Sequence, residues 1–205
     1  MALMLFFNRV FYEGARWISK NAIHHNLTTP ADSLFPFLPW TIVIYFGCFL
    51  WWGIVYWLMA GLDREEGDRF FSALILAEAI CFIIYIVFPT TNIRPEVSGS
   101  SVWDRLMRFL YRIDAPDNLF PSIHCMISWL CWISLKNNRE VSVYFRHGSL
   151  LMAIAVCLST LTTRQHVLPD VAAGILLAEI CRWFMKHSRA YRWYTRLTDE
   201  IMRRF

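Results

Sequence analysis

The sequence predicts an all-α fold, a polytopic membrane helical bundle with about five, or at most six, transmembrane helices. Of the 205 residues, 57% are hydrophobic and 18% are charged, whereas about a quarter of the residues of a soluble domain are charged. Between Asp32 and Asp63, 30 consecutive residues include no Asp, Glu, Lys or Arg. A bilayer crossing needs about 20 largely apolar residues. These observations exclude a disordered chain and favour a membrane protein over one hydrophobic soluble domain.

Five segments are predicted to cross the bilayer, at about 38–60, 70–88, 121–135, 149–161 and 167–185. Several are shorter than a full crossing, so tilting or local thinning of the bilayer is expected. The first 20 residues place polar side chains at helical spacing opposite an apolar face that includes Leu5, Phe6, Val10 and Trp17. This pattern predicts an amphipathic helix in the headgroup region, with a sixth span as the alternative.

The chain reads as a single integral membrane domain over residues 1–205, because no linker, repeat or low-complexity tract divides it. It comprises an interfacial segment (1–37), a transmembrane core (38–185) and a basic tail (186–205). Six cysteines lie inside apolar stretches without any C-x-x-C pair, which predicts small buried side chains rather than disulfides or a metal site. The tryptophans of the first span are expected to face lipid or the interface.

The distribution of Lys and Arg predicts the orientation. Seven of these residues lie from position 182 onward, which favours a cytoplasmic C-terminus. The segments at 89–120 and 162–166 then lie outside. The net charge of +4 is small and dispersed, so a nucleic-acid partner is not expected.

Polar groups from three separate segments converge on the predicted outer edge. An Arg-Pro pair follows the second span, a Pro-Ser-Ile-His run opens the third, and the fifth begins with Arg, His and Asp residues. The candidate site residues are Arg94, Ser122, His124, Arg164, His166 and Asp170.

Each residue type in this set suits phosphate chemistry. Proline is tolerated in the first turn of a helix, so Pro121 and Pro169 predict helix starts, where unpaired N–H groups attract anions. Arginine supplies planar, permanently charged donors for phosphate oxygens. His166 and Asp170 are four residues apart and share a helical face, so the carboxylate can hold one imidazole nitrogen and leave the other free to attack.

These residues resemble the three signatures of the type 2 phosphatidic acid phosphatase superfamily: Arg-Pro at 94–95, Pro-Ser-x-His at 121–124 and His-x-x-x-Asp at 166–170. The sequences Phe-Pro-Ser-Ile-His-Cys and Thr-Arg-Gln-His are similar to those of the branch that includes inositol phosphorylceramide synthases. The resemblance covers roughly residues 70–185. Two positions depart from the family pattern, because Val87 stands where a Lys is usual and Thr160 where an Arg is usual.

The resemblance implies a lipid phosphatase that needs neither metal nor cofactor. His166 would be the nucleophile and form a phosphohistidine, Asp170 would orient it, and His124 would protonate the departing oxygen. Arg94, Ser122 and Arg164 would bind the phosphate. The expected partners are a lipid phosphate or diphosphate substrate and the surrounding membrane lipids. The expected location is the cell membrane, with the active site on the outer face.

Three alternatives stay open at this point. An alcohol in place of water as acceptor would make the protein a phospholipid or sphingolipid headgroup phosphotransferase. A catalytically silent lipid-binding or transport protein would account for the departure at Val87. Finally, two histidines and an aspartate are also a ligand set for zinc.

Overall fold

A computed structural model describes residues 2–203, apart from the side chains of 2–9 and 202. The described residues form eight α-helices: α1 (Ala2–Ser19), α2 (Ile42–Gly61), α3 (Arg64–Val87), α4 (Val102–Ile113), α5 (Ile123–Leu135), α6 (Val143–Thr162), α7 (Leu168–His187) and α8 (Arg192–Met202). A two-residue parallel pair joins β1 (His25–Asn26) to β2 (Thr90–Thr91). The predicted all-α class is therefore confirmed.

Three of the described helical segments are long and apolar enough to cross a membrane: Pro39–Gly61, Arg64–Val87 and Val143–Thr162. The third predicted span corresponds to α5, which has only 13 residues. The fifth corresponds to α7, which has 20 residues but carries several charged side chains. Large apolar side chains are exposed along these helices, as in a bundle surrounded by lipid: Val43, Leu50, Trp57, Ile83, Leu151, Leu158, Leu176 and Ile180. The chain is a membrane protein.

Helices α5 and α7 pack closely in the middle of the bundle, with α3 and α6 on either side. Gly174 permits their close approach, because a Cβ atom at this position would lie 2.5 Å from the Ser122 carbonyl oxygen and 3.2 Å from the Met126 nitrogen. All six cysteines are buried and free, as the sequence predicts.

The two ends of the bundle are held by different contacts. At one end, here called the site end, the Ser122 N–H donates to the Asp170 carbonyl (3.0 Å) and the Tyr85 hydroxyl donates to the Pro121 carbonyl (2.6 Å). At the opposite end, Arg182 pairs with Glu66 at 2.5 Å. The site end therefore gathers the start of α5 and the turn before α7, which carry the predicted histidines.

The structure corrects several predicted boundaries. The 89–120 segment, treated as a loop, contains α4, whose N-cap Ser101 accepts a hydrogen bond from the Asp104 N–H in a capping box. Helices α3 and α6 each begin six residues before the predicted spans, at Arg64 and Val143. The basic tail contains α8. These differences share a cause, because charged first turns and amphipathic helices do not register as apolar runs.

Helix α1 packs on α3, with the Phe11 and Phe82 rings 5.4 Å apart. Its last turns also hold the segment after α4, because the Tyr12 hydroxyl donates to Asp114 (2.7 Å) and Arg16 pairs with Asp117 (2.9 Å). The predicted placement of this helix in the headgroup region stays a prediction. The side chains of Leu5 and Phe6, invoked for its apolar face, lie outside the described residues, as does Arg204 of the basic tail.

Candidate active site

The start of α5 carries the Pro-Ser-x-His signature, at 121–124. Ser122 is the N-cap residue, and its Oγ accepts a hydrogen bond from the Cys125 N–H at 3.3 Å. Pro121 lies just before this cap, outside the helix rather than in its first turn as expected. His124 is the second residue of α5, so its side chain lies beside the N–H groups of the first turn, which favour an anion.

His166 and Asp170 form a buried pair. The His166 Nδ1 and Asp170 Oδ2 atoms lie 3.3 Å apart, and this Oδ2 also accepts a hydrogen bond from the Val167 N–H at 3.0 Å. Only 6% of His166 and none of Asp170 is exposed. Since Nδ1 is held toward the carboxylate, the opposite ring nitrogen, Nε2, points away from it. His166 itself lies two residues before α7 begins.

The two histidines face each other across one space. Their ring centroids are 6.0 Å apart, which leaves room for one group between them, because reacting atoms approach to about 3–3.5 Å. The His124 ring stacks on Tyr45 of α2 at 4.3 Å. Its Nε2 is buried and has no hydrogen-bond partner among the described residues.

The neighbouring aromatic residues of α2 complete the surroundings of His124. The ring centroids of Phe49 and Trp52 lie 5.6 and 5.7 Å from that of His124. Trp52 is buried, and its indole N–H donates to the Ser128 hydroxyl at 3.0 Å. The expectation that all tryptophans of the first span face lipid is therefore wrong for Trp52, although Trp57 is exposed.

Arg94 contacts the site indirectly, through the side chain of Gln165. One guanidinium nitrogen donates to the Asp114 carbonyl at 2.5 Å, and another donates to Gln165 Oε1 at 2.7 Å. The guanidinium carbon also lies 4.8 Å from the centre of the Tyr111 ring. Burial raises the pKa of Tyr111 to about 12, so its hydroxyl stays protonated and donates to the Thr163 carbonyl at 2.8 Å.

Gln165 is a site residue that the sequence reasoning missed. Its side chain is buried beside His166, and because arginine can only donate, the contact with Arg94 fixes the amide orientation. The amide nitrogen Nε2 has no partner among the described residues. Gln165 therefore offers a donor next to the histidines, and its position between Arg164 and His166 was the available signal.

The Arg164 side chain contacts the 32–35 segment. Its backbone adopts a positive φ of 54°, and its guanidinium donates to the carbonyls of Asp32 (2.9 Å) and Phe35 (2.6 Å). The Asp32 carboxylate in turn accepts a hydrogen bond from the Leu168 N–H at 2.7 Å. Arg164 thus fastens the 32–35 segment to the turn before α7. Its assignment as a phosphate ligand stays a prediction.

A cavity of about 390 Å³ joins these groups. His124, His166 and Gln165 line it, and so do Asp114 and Asn118 from the segment after α4. Arg94, Ser122 and Arg164 are not among its lining residues. Glu13 of α1 also lines it, and the rest of the wall is aromatic and aliphatic: Tyr12, Tyr45, Phe46, Phe49, Trp52, Tyr85, Leu110, Ile113, Leu119 and Ile123. The cavity can therefore hold a polar group at the histidines and apolar matter beside it.

The two positions that depart from the family signatures carry no charge. Val87 is exposed at the last position of α3. Thr160 is buried, its hydroxyl donates to the Cys157 carbonyl (2.8 Å), and its own carbonyl accepts from the N–H groups of Gln165 and His166. Among residues 2–203, no three His, Cys, Asp or Glu side chains group as a candidate metal site.

A comparison with protein-family models agrees with this geometry. A model described as the PAP2 superfamily matches residues 36–184, a range that contains both histidines, Asp170, Arg94 and Gln165. No curated protein and no solved structure matches the chain.

Proposed function

Because the chain belongs to the PAP2 superfamily, which supports a phosphatase-type activity in general, we propose a membrane-embedded lipid phosphatase. Its substrate is a lipid phosphate or diphosphate, and the reaction proceeds through a phosphohistidine. The observation that carries this proposal is the buried His166–Asp170 pair facing His124 at a centroid distance of 6.0 Å in one cavity.

The first step forms a bond between His166 Nε2 and phosphorus. The bond from phosphorus to the lipid oxygen breaks, and a ring nitrogen of His124 gives its proton to that oxygen. In the second step, water attacks phosphorus while His124 accepts a proton from the water. The phosphorus–nitrogen bond then breaks and inorganic phosphate leaves. Asp170 stabilises the positive charge that develops on the imidazole ring of His166.

The phosphate oxygens are held by donors that do not need to move during the reaction. The Gln165 Nε2 group and the backbone N–H groups in the first turn of α5 supply these donors, and Arg94 polarises the Gln165 amide. Such preorganised donors stabilise the charge of a transferring phosphoryl group. Arg164 acts indirectly, by holding the turn that carries Gln165 and His166.

A headgroup phosphotransferase is the second candidate, and the cavity offers a hydrogen-bond acceptor for its alcohol. Asn118 lines the same cavity, is buried, and its Oδ1 has no partner among the described residues. This oxygen could accept a hydrogen bond from an alcohol, which would replace water in the second step. Purified protein incubated with labelled lipid phosphates, with and without candidate alcohols, distinguishes the two by its products. A silent protein would give no product in either case.

The two histidines can be separated by the leaving group. His166→Ala should abolish turnover of every substrate. His124→Ala should lose about 10²–10⁴-fold on a lipid phosphate, whose alkoxide needs protonation. It should lose less on nitrophenyl phosphate, because nitrophenolate leaves readily. Equal losses on both substrates would contradict the acid role of His124.

The proposal requires no metal, and it places the site on the outer face of the cell membrane with the C-terminus inside. Enzyme dialysed against EDTA should keep its activity; loss that zinc restores would favour a metal centre. In a cysteine-free background, Ser100→Cys should be labelled by an impermeant reagent from outside sealed cells. Labelling only from the cytoplasmic side would show that the orientation is opposite to the proposed one.

A further inference from the structure

A second cavity, of about 370 Å³, lies at the opposite end of the bundle, beside the C-terminal ends of α5 and α7. Its volume is typical of a site for a small ligand. Arg182 lies on its wall, more than three turns after Asp170 in the same helix, which is about 18 Å along the helix axis. The cavity is therefore separate from the active site.

Two buried polar side chains on this wall have atoms without a partner. Only 9% of Arg182 and 5% of Ser134 is exposed. The Arg182 Nη1 and Ser134 Oγ atoms have no hydrogen-bond partner among the described residues. Both groups can donate a hydrogen bond, and the guanidinium can only donate. Because unsatisfied buried donors are unfavourable, a ligand that accepts hydrogen bonds from both would be stabilised here.

Two lysines add positive charge beside these donors. Lys136 directly follows the last residue of α5, and Lys186 lies in the last turn of α7, where the partial negative charge of a helix end stabilises a cation. Lys136 Nζ lies 5.0 Å from the centre of the Trp132 ring. Both lysines are exposed, and neither forms an ion pair in the described part of the chain. Their charges are therefore available to a ligand.

The two carboxylates on the wall have partners of their own. Glu66 pairs with Arg182 at 2.5 Å and with Arg69 at 3.0 Å. Glu179 accepts a hydrogen bond from the Trp129 indole N–H at 2.9 Å. Arginine and lysine thus outnumber the carboxylates among the lining residues, and Arg69, which is not one of them, further balances Glu66. The excess of positive charge favours an anionic ligand.

We propose that this cavity binds a phosphate group, either that of an anionic lipid headgroup or free phosphate. Arg182 Nη1 and the Ser134 hydroxyl donate to the phosphate oxygens, and the two lysines balance its charge. Trp183 also lines the cavity and is 63% exposed. Tryptophan is enriched at membrane–water interfaces, so a headgroup can reach the cavity from the bilayer surface. The site goes beyond the proposed function, and its test needs no turnover.

A cysteine on the wall reports occupancy. Asn137 is exposed and lines the cavity, whereas the native cysteines are buried, so an uncharged maleimide should react with Asn137→Cys first. Inorganic phosphate and phosphatidylglycerol in neutral detergent micelles are the two probes. At about ten times its Kd, a bound probe should slow the reaction roughly tenfold by mass action. Protection by one probe alone identifies the source of the phosphate, and protection by both shows that the phosphate group suffices.

Diacylglycerol with the same acyl chains has no phosphate and should not protect Asn137→Cys. Equal protection by diacylglycerol would show that lipid merely covers the cavity and would overturn the proposal. Absence of protection by both phosphate probes would overturn it as well.

A matched pair of double variants, made in the Asn137→Cys protein, tests the charges. Lys136→Gln with Lys186→Gln should raise the Kd of the protecting probe about tenfold or more, since one hydrogen bond to a charged group is worth roughly that factor. Arg139→Gln with Arg189→Gln removes two charges from exposed positions outside the cavity wall and should keep the original Kd. An equal Kd in the two double variants would contradict the proposed site.

Discussion

The two ends of the bundle differ in how they treat charged groups. At the opposite end, carboxylates have cationic partners: Glu66 pairs with Arg182 at 2.5 Å and with Arg69 at 3.0 Å, and Asp199 pairs with Arg64. At the site end, Asp114 and Asp117 pair with Arg16, but the fully buried Asp170 has no Arg or Lys partner in the described part of the chain, only His166.

At the site end, unpaired polar atoms lie around the two histidines. Asp170 Oδ1, His124 Nε2 and Gln165 Nε2 are buried at the site end without partners among residues 2–203. Each such atom costs about 1–3 kcal/mol when it is left unsatisfied. A substrate phosphate would accept hydrogen bonds from two of these atoms, Gln165 Nε2 and protonated His124 Nε2. Arg69 Nε and Arg182 Nη1 at the opposite end are also unpaired, but each guanidinium pairs with Glu66 through another nitrogen. The opposite end is therefore held by ion pairs, whereas the site end is arranged for binding the substrate, and substitutions at the two ends should affect different properties.

Asp170→Asn should give the largest effect of the three substitutions that follow. Asparagine can still accept the Val167 N–H, but it cannot stabilise a positive imidazole and it permits the wrong tautomer of His166. We expect kcat to fall about 10³–10⁴-fold, with the thermal unfolding midpoint in detergent nearly unchanged. A variant that keeps wild-type kcat would show that this pair is structural only.

Gln165→Glu should have the next largest effect. The substitution keeps the size of the side chain and its contact with Arg94, but it removes the amide donor and adds a negative charge beside the phosphate. We expect kcat/KM to fall by about 10²-fold, as for the loss of one preorganised donor. Gln165→Met, which removes both groups without adding charge, should lose less. Full activity in the Glu variant would exclude the donor role.

Glu66→Gln should give the smallest effect and affect stability alone. Glu66 is partly exposed, and such ion pairs contribute about 1 kcal/mol or less. The unfolding midpoint should fall slightly at low salt, and lipid phosphate hydrolysis should keep its wild-type rate. A large loss of activity would contradict the claim that the two ends of the bundle serve different properties.

Much of the fold and part of the site follow from the sequence. The span at 38–60 matches α2, and the span at 70–88 covers α3 apart from its charged first six residues, because long apolar runs are a strong signal. The His166–Asp170 contact was predictable because it is local, set by a four-residue spacing. The start of α5 was predicted to within about two residues, although Ser122 is the N-cap and Pro121 lies outside the helix.

Contacts between distant segments could not be predicted from one sequence. Arg164 donates to Asp32 and Phe35, more than 100 residues away, and this contact could not be read from the local spacing. The stacking of Tyr45 on His124 joins α2 to α5, and no spacing rule relates them. Gln165 was missed because a glutamine has no distinctive motif, and its role arises only from the contact with Arg94.

The central claim, that His166 is the nucleophile, is tested most directly by trapping the intermediate. Enzyme mixed briefly with a phosphorus-labelled lipid phosphate, quenched in alkali and digested should yield a label on the peptide that contains His166. The label should be acid-labile and stable to alkali, and His166→Ala should lack it while His124→Ala retains it. A labelled intermediate that persists in His166→Ala, or a label on another peptide, would contradict the mechanism.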